Sequence, residues 1–83
     1  MVQLPKLLER ITVNPSVQHG KPCVRGTRTP VYVVLESLAT GMTSQEVCRE
    51  YPPLTEGDVR ACVSFAALLA NEEEVVPPIS SRP

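Results

Sequence analysis

The sequence lacks most of the features that announce a function. No apolar run in the 83 residues approaches the ~18 needed to cross a bilayer. The opening stretch, MVQLPKLLERI, has no apolar core of the kind a secretory signal carries, so a cytoplasmic chain is expected. There is no GxxxxGKS/T and no GxGxxG run, which removes phosphate-binding loops. A single histidine, His19, and no acid pair on one short segment leave nothing to organise acid–base chemistry. His19 and Cys23 share a turn that has no orienting carboxylate close by, so nucleophilic catalysis is not expected either. No catalytic residue and no cofactor is therefore assigned.

Cysteine is scarce and odd in number. Cys23, Cys48 and Cys62 contain no CxxC pair, so a disulfide framework is not expected. A zinc set would have to combine His19 with all three, without the close ligand pairs usual in such modules. Core thiols are the expectation instead, since a free cysteine behaves as a small buried hydrophobe. Charge of one sign is also missing. Eight Lys+Arg stand against nine Asp+Glu, a net −1, where a simple nucleic-acid binder reads strongly positive.

That balance hides a division. Residues 1–30 hold Lys6, Arg10, Lys21, Arg25 and Arg28 against Glu9 alone, a local +4, and the remaining residues carry −5. The basic half includes Lys21-Pro22-Cys23-Val24-Arg25-Gly26-Thr27-Arg28, with three permanent cations in eight residues. Glycine lets backbone approach a ligand closely, and arginine forms paired hydrogen bonds to phosphate or carboxylate. The loop either contacts an anion (a nucleic-acid backbone or an acidic protein surface) or its arginines pair with the chain's own Glu36 or Glu56.

Local patterning supplies the fold. Arg10-Ile11-Thr12-Val13-Asn14 alternates polar and apolar residues as a short strand does, and Asn14-Pro15 ends it. Cys23-Val24-Arg25 is a second short strand, paired with the first as a hairpin or with a neighbouring chain. Residues 1–9 form either a short helix from Pro5 or a loose arm. Thr29 as cap and Pro30 at the first position predict a helix over about 30–40, with Val31, Val34, Leu35, Leu38 and Ala39 on one face and Gly41 at its end. Thr43 and Glu46 form a capping box, flanked by Met42 and Val47 as a hydrophobic staple, for a helix over about 44–51 that Pro52-Pro53 stops.

Thr55 and Asp58, with Leu54 and Val59, repeat the device for a helix over about 56–70, a box weakened by the shorter Asp. Val59, Cys62, Val63, Ala66, Leu69 and Ala70 mark its apolar face, Glu56, Gly57, Arg60, Ala61 and Ser64 its outer face, and Asn71 its C-terminal cap. The last two helices, four residues apart, match a helix-turn-helix arrangement. Residues 72–83, with Glu72, Glu73, Glu74, Val75, Val76 and Ile79, read as a flexible acidic tail, either a frayed terminus or a segment that orders on a partner. One domain over 10–71 is expected. A chain this short buries only about 60–65% of its unfolded surface, so added burial would help it.

The chain also resembles a known family. Arg10-Ile11-Thr12-Val13-Asn14-Pro15, then Gly20-Lys21-Pro22-Cys23-Val24-Arg25-Gly26-Thr27-Arg28, then Pro30-Val31, resemble the family called domain of unknown function 433. The likeness continues through Gly41-Met42-Thr43, Glu46, Tyr51-Pro52, Leu54-Thr55 and Asp58-Val59-Arg60, and covers about residues 10–70. The resemblance implies a mainly α fold: a homeodomain-like three-helix bundle (helix-turn-helix) with a short N-terminal β segment, strand-paired in a homodimer. Its members are often treated as antitoxins of the VapB kind. Antitoxins of that kind, encoded beside a PIN-like ribonuclease toxin, bind their toxin and repress their own promoter.

In that role Lys21, Arg25, Thr27 and Arg28 would contact DNA and Arg60 would read a base, while Glu72, Glu73, Glu74, Val75, Val76 and Ile79 would hold the toxin. Two departures stand out: Thr29 replaces a more usual aliphatic residue, and the outer face of the last helix is poor in basic residues. Direct base reading by that helix is correspondingly weakened, and the expectation falls on the basic loop.

Overall fold

The computed structural model describes residues 4–72. In chain order these form α1 (Leu4–Leu8), β1 (Ile11–Thr12), β2 (Cys23–Val24), α2 (Val31–Ala39), α3 (Ser44–Glu50) and α4 (Glu56–Glu72). The fold is mainly helical with a two-stranded antiparallel hairpin. Ile11 lies opposite Val24 and Thr12 opposite Cys23, so the strands pair within the chain.

The two capping boxes fix where α3 and α4 begin. At α3, the Glu46 amide donates to Thr43 Oγ1 at 3.1 Å and the Thr43 amide to Glu46 Oε1 at 2.9 Å. At α4, the Asp58 amide donates to Thr55 Oγ1 at 3.2 Å and the Thr55 amide to Asp58 Oδ2 at 3.0 Å. Both boxes are therefore complete, the one built on aspartate included. Each satisfies amides that the first helical turn leaves without partners. The staples also close: Val47 is fully buried, Leu54 and Val59 nearly so, and Met42 packs on the core.

α2 ends as its sequence predicts. Gly41 has φ +107, its amide donates to Leu38 O at 3.0 Å, and the Met42 amide reaches back to Ser37 O at 3.3 Å. This paired closure needs a left-handed residue, which glycine supplies without steric cost. The start of α2 differs from expectation. Pro30 is the cap residue and no side chain caps the helix. Thr29 is drawn away because its carbonyl accepts from the Val24 amide at 3.0 Å while Pro30 bridges Cys23. Both residues thus extend the hairpin up to the helix.

The core is built from small side chains: Val24, Val31, Val34, Val47, Leu54, Val59 and Cys62, with Ile11, Leu35, Leu38, Tyr51 and Phe65 packed around them. Both strands, α2, α3 and α4 contribute to it. α1 instead lies along α4, which makes residues 4–8 part of the bundle rather than a loose arm. This docking changes the faces of α4. Ala61, expected on the outer face, is fully buried. It lies one turn beyond Gly57 and Asp58, on the side that α1 and Arg10 close. Val63 and Leu69, expected on the apolar face, stay 46% and 44% exposed: Val63 points away from the side that buries Asp58, Ala61 and Cys62, and Leu69 lies in the last turn of the helix. The helix continues through Asn71 to Glu72, so Asn71 is inside it rather than its cap.

Candidate functional site

The basic loop is a rigid turn. Gly26 takes φ +81 at its tip. The Thr27 amide and hydroxyl both donate to Val24 O, at 3.0 and 2.9 Å, and Thr27 Oγ1 accepts from the Thr29 amide at 3.0 Å. Thr27 therefore shapes the loop with the same hydroxyl that was expected to meet a ligand; one lone pair of that oxygen is left over. Gln18 braces the far side through Nε2 to Arg28 O at 3.2 Å. Gln18 and His19 reach this position through left-handed backbone, φ +50 and +56, within a single 3-10 turn at Gln18–Gly20.

The structure divides the expected cations. Arg25 and Arg28 line one groove of about 650 Å³, together with Thr12, Asn14, Thr27 and Thr29. Arg25 also borders a neighbouring groove of about 540 Å³ formed with Lys6, Glu9, Arg10 and Asp58. Its amide donates to Arg10 O at 2.7 Å and its Nε to Glu9 O at 2.6 Å. One of the five guanidinium donors is thus used to tie the loop to the chain just after α1. Arg28 is exposed, and among the described residues its side chain enters no hydrogen bond or ion pair. Lys21 faces elsewhere, with Nζ 5.4 Å from the centroid of the Tyr32 ring. Arg60 is exposed on α4 and borders neither groove of the loop.

Arg10 is the basic residue that sequence patterning does not single out. Its Nη1 donates to Asp58 Oδ1 at 3.0 Å, the one ion pair among the described residues. Asp58 thus closes the α4 capping box with one oxygen and holds Arg10 with the other. The guanidinium lies against Gly57, where an added Cβ would stand 2.9 Å from Arg10 Cζ. The signal for it in the sequence is the glycine at the second helical position beside an aspartate with an oxygen to spare. Among the described residues neither Arg25 nor Arg28 makes the pairing expected with Glu36 or Glu56, and Glu56 Oε1 instead accepts from Ser44 Oγ at 2.8 Å.

Two of the thiols, Cys62 and Cys48, are held neutral. Cys62 is fully buried and pushed up to about 12, first by burial and then by the Asp58 charge. Burial, then Glu56 and Asp58, also raises Cys48, which is half-buried at the core's edge rather than within it. Among the described residues no three His, Cys, Asp or Glu side chains gather as a metal site would require. The expected partner-binding residues Glu73, Glu74, Val75, Val76 and Ile79 lie outside the described residues, as does the side chain of Glu72.

What remains is a small helical domain with a β-hairpin whose exposed chemistry is a guanidinium-bearing loop. The sequence profile of the family described as "Protein of unknown function (DUF433)" matches residues 11–66, and the chain belongs to that family. An uncharacterized protein, y4eO, of Sinorhizobium fredii (strain NBRC 101917 / NGR234) is 36% identical over 58 residues. Those residues are 70% of this chain but 26% of that protein, so the chain spans about a quarter of that relative's length. The fold is similar to the crystal structure of a DUF433 member protein from Anabaena variabilis ATCC 29413. The TM-score is 0.71 with 25% identity, covering 86% of this chain and 70% of that one.

Proposed function

We propose that the chain is a small cytoplasmic DNA-binding regulator of helix-turn-helix type, the antitoxin member of a type II toxin–antitoxin pair. The observation that carries this reading is the placement of Arg25 and Arg28 on one groove beside a turn that Thr27 holds rigid. Preorganised guanidinium groups suit phosphate oxygens, because little side-chain or loop ordering remains to oppose binding. Four residues separate Glu50 from the Thr55 cap, a connection length that fits the helix-turn-helix reading. On α4, Arg60 sits one turn from Glu56, so the loop carries the phosphate contacts and α4 adds at most one base contact. No catalytic step is assigned. In this reading two chains form a homodimer, and Glu72 to Glu74 with Val75, Val76 and Ile79 hold a PIN-like ribonuclease.

The test is binding to the DNA upstream of the gene, measured by fluorescence anisotropy across a salt series. Removing a cation that neutralises one phosphate lowers the slope of log K against log salt by about 0.9. Arg28→Ala should therefore lower it by about one, and Arg25→Ala with Arg28→Ala by about two. Arg28→Ala is the cleaner variant, since Arg25 also holds Glu9 O. An unchanged slope in both variants refutes the loop assignment.

A second reading, a protein-interaction module that does not bind DNA, is favoured by one observation. Arg10 and Arg25 are already engaged by acceptors of the chain itself. No binding by wild type to its upstream DNA at low salt, with capture of an acidic partner, is the outcome that selects it.

A further inference from the structure

The groove of about 540 Å³ beside α1 gathers three cations, Lys6, Arg10 and Arg25, with two carboxylates, Glu9 and Asp58. Local structure explains why these residues meet. The Glu9 amide donates to Lys6 O at 3.2 Å and the Arg10 amide to Leu7 O at 3.0 Å, so the chain keeps turning past the end of α1. Residues three and four apart on such a turn share one side, which aligns Lys6, Glu9 and Arg10. Arg25 comes from the hairpin, whose pairing its amide extends by donating to Arg10 O at 2.7 Å.

Both guanidinium groups are anchored from within the chain. Arg10 spends Nη1 on Asp58 Oδ1 at 3.0 Å and lies against Gly57. Arg25 spends Nε on Glu9 O at 2.6 Å. Each bond uses one of a guanidinium's five N–H donors and leaves the rest for a ligand. Asp58 offers little further, since its Oδ2 accepts from the Thr55 amide. Arg10–Asp58 is the one ion pair among the described residues, so Lys6, Arg25 and Glu9 bring unpaired charge to the groove. Arginine gives phosphate oxygens paired N–H donors, and lysine adds a point charge. Anchoring removes side-chain ordering that would otherwise oppose binding. A carboxylate is matched by one arginine, whereas two arginines and a lysine match the near-double charge and three acceptor oxygens of a phosphate monoester.

The geometry points to an anion site in which Lys6, Arg10 and Arg25 bind a phosphate dianion, free or as a monoester, with the Glu9 carboxylate as the charge that opposes it. The site is separate from DNA binding by the loop: the two grooves share Arg25, but neither Thr27 nor Arg28 borders this one.

The test is titration of the full chain with sodium phosphate at constant ionic strength, followed through the arginine Nε–Hε signals in proton–nitrogen correlation spectra. Saturable shifts are expected at Arg10 and Arg25, with Arg28, Arg49 and Arg60 unmoved. Lys6→Gln should raise the dissociation constant about two- to fivefold, the range that one exposed charge contact supplies, and Glu9→Gln should lower it by a similar factor. Both residues are exposed, so neither substitution disturbs the core. Adenosine monophosphate as a second probe separates the two sources: tighter binding than phosphate assigns a monoester, equal or weaker binding the free ion. Shifts reproduced when chloride replaces phosphate overturn the site. So do saturable shifts centred on Arg28, and a dissociation constant that neither Lys6→Gln nor Glu9→Gln changes.

Discussion

Asp58→Ala removes two supports at once, and their sizes can be worked from the geometry. One is the acceptor half of the α4 capping box, the 3.0 Å bond from the Thr55 amide to Oδ2. Losing a cap of this kind costs about 1 kcal/mol. The other is the bond from Arg10 to Oδ1. The Asp58 side chain is 13% exposed and that of Arg10 is 47% exposed, so solvent screens the pair from one side and holds its worth to about 0.5–1 kcal/mol. Together the loss is about 2 kcal/mol, or roughly 8–16 °C in Tm for a domain of this size. Asp58→Asn keeps a neutral acceptor for the Thr55 amide and should cost about half as much. Urea unfolding of wild type, Arg10→Ala, Asp58→Ala and the double variant gives the coupling directly, expected at about 0.5–1 kcal/mol. Raising the salt should shrink that coupling and leave the cap contribution in place. A cost below about 0.5 kcal/mol for Asp58→Ala, or strict additivity in the cycle, would refute the dual role of this carboxylate.

Two further outcomes follow from the same region and from the core. Gly57→Ala trades a gain in helix propensity, up to about 1 kcal/mol, against displacement of the Arg10 guanidinium from its seat. It should therefore stabilise the Arg10→Ala background more than wild type, as paired urea titrations would show. An equal gain in both backgrounds sinks the close approach as an energetic feature. For the thiols, a native maleimide or disulfide-exchange assay at pH 8 should label Cys48 first, with Cys23 and Cys62 protected until the chain unfolds. The raised Cys62 also sets a pH dependence. The native state keeps a proton that the unfolded state releases near 9.0, so stability is intact below that pH and falls as pH rises toward about 12. Cys48 acts in the same direction, and Cys62→Ala should flatten the alkaline decline; a decline of undiminished steepness argues against Cys62 as its source.

Local signals in the chain are legible, and long-range ones are not. Thr43 with Glu46 and Thr55 with Asp58 announce the starts of two helices, because a capping box is complete within four residues. Gly41 announces the end of another for the same reason. The strands at Ile11 and Val24 follow from alternation and breakers, but whether they pair with each other or with another chain is a tertiary matter. Thr29 looks like a cap until the Val24 amide claims its carbonyl. Ala61 looks solvent-facing until α1 is placed along α4.

At the candidate site the basic run is visible as composition. Its division is not: Lys21 turns toward Tyr32, Arg25 toward Glu9 O, and Arg28 stays exposed. Arg10 escapes sequence reasoning because its partner lies 48 positions away, beyond any periodicity.

That separation bears on the order of folding. Arg10 and Asp58 bracket the hairpin, the basic loop, α2 and α3, so their pairing closes a loop of 48 residues. Closing such a loop in an unfolded chain costs about 3 kcal/mol in entropy, more than the pair returns. The contact therefore cannot nucleate the fold and must form after the valine core has drawn its ends together. An interaction made that late retards unfolding and leaves the folding rate nearly untouched. Arg10 is thus a latch on the lifetime of the folded state, and the segment that bears it is where the chain's resistance to opening is set.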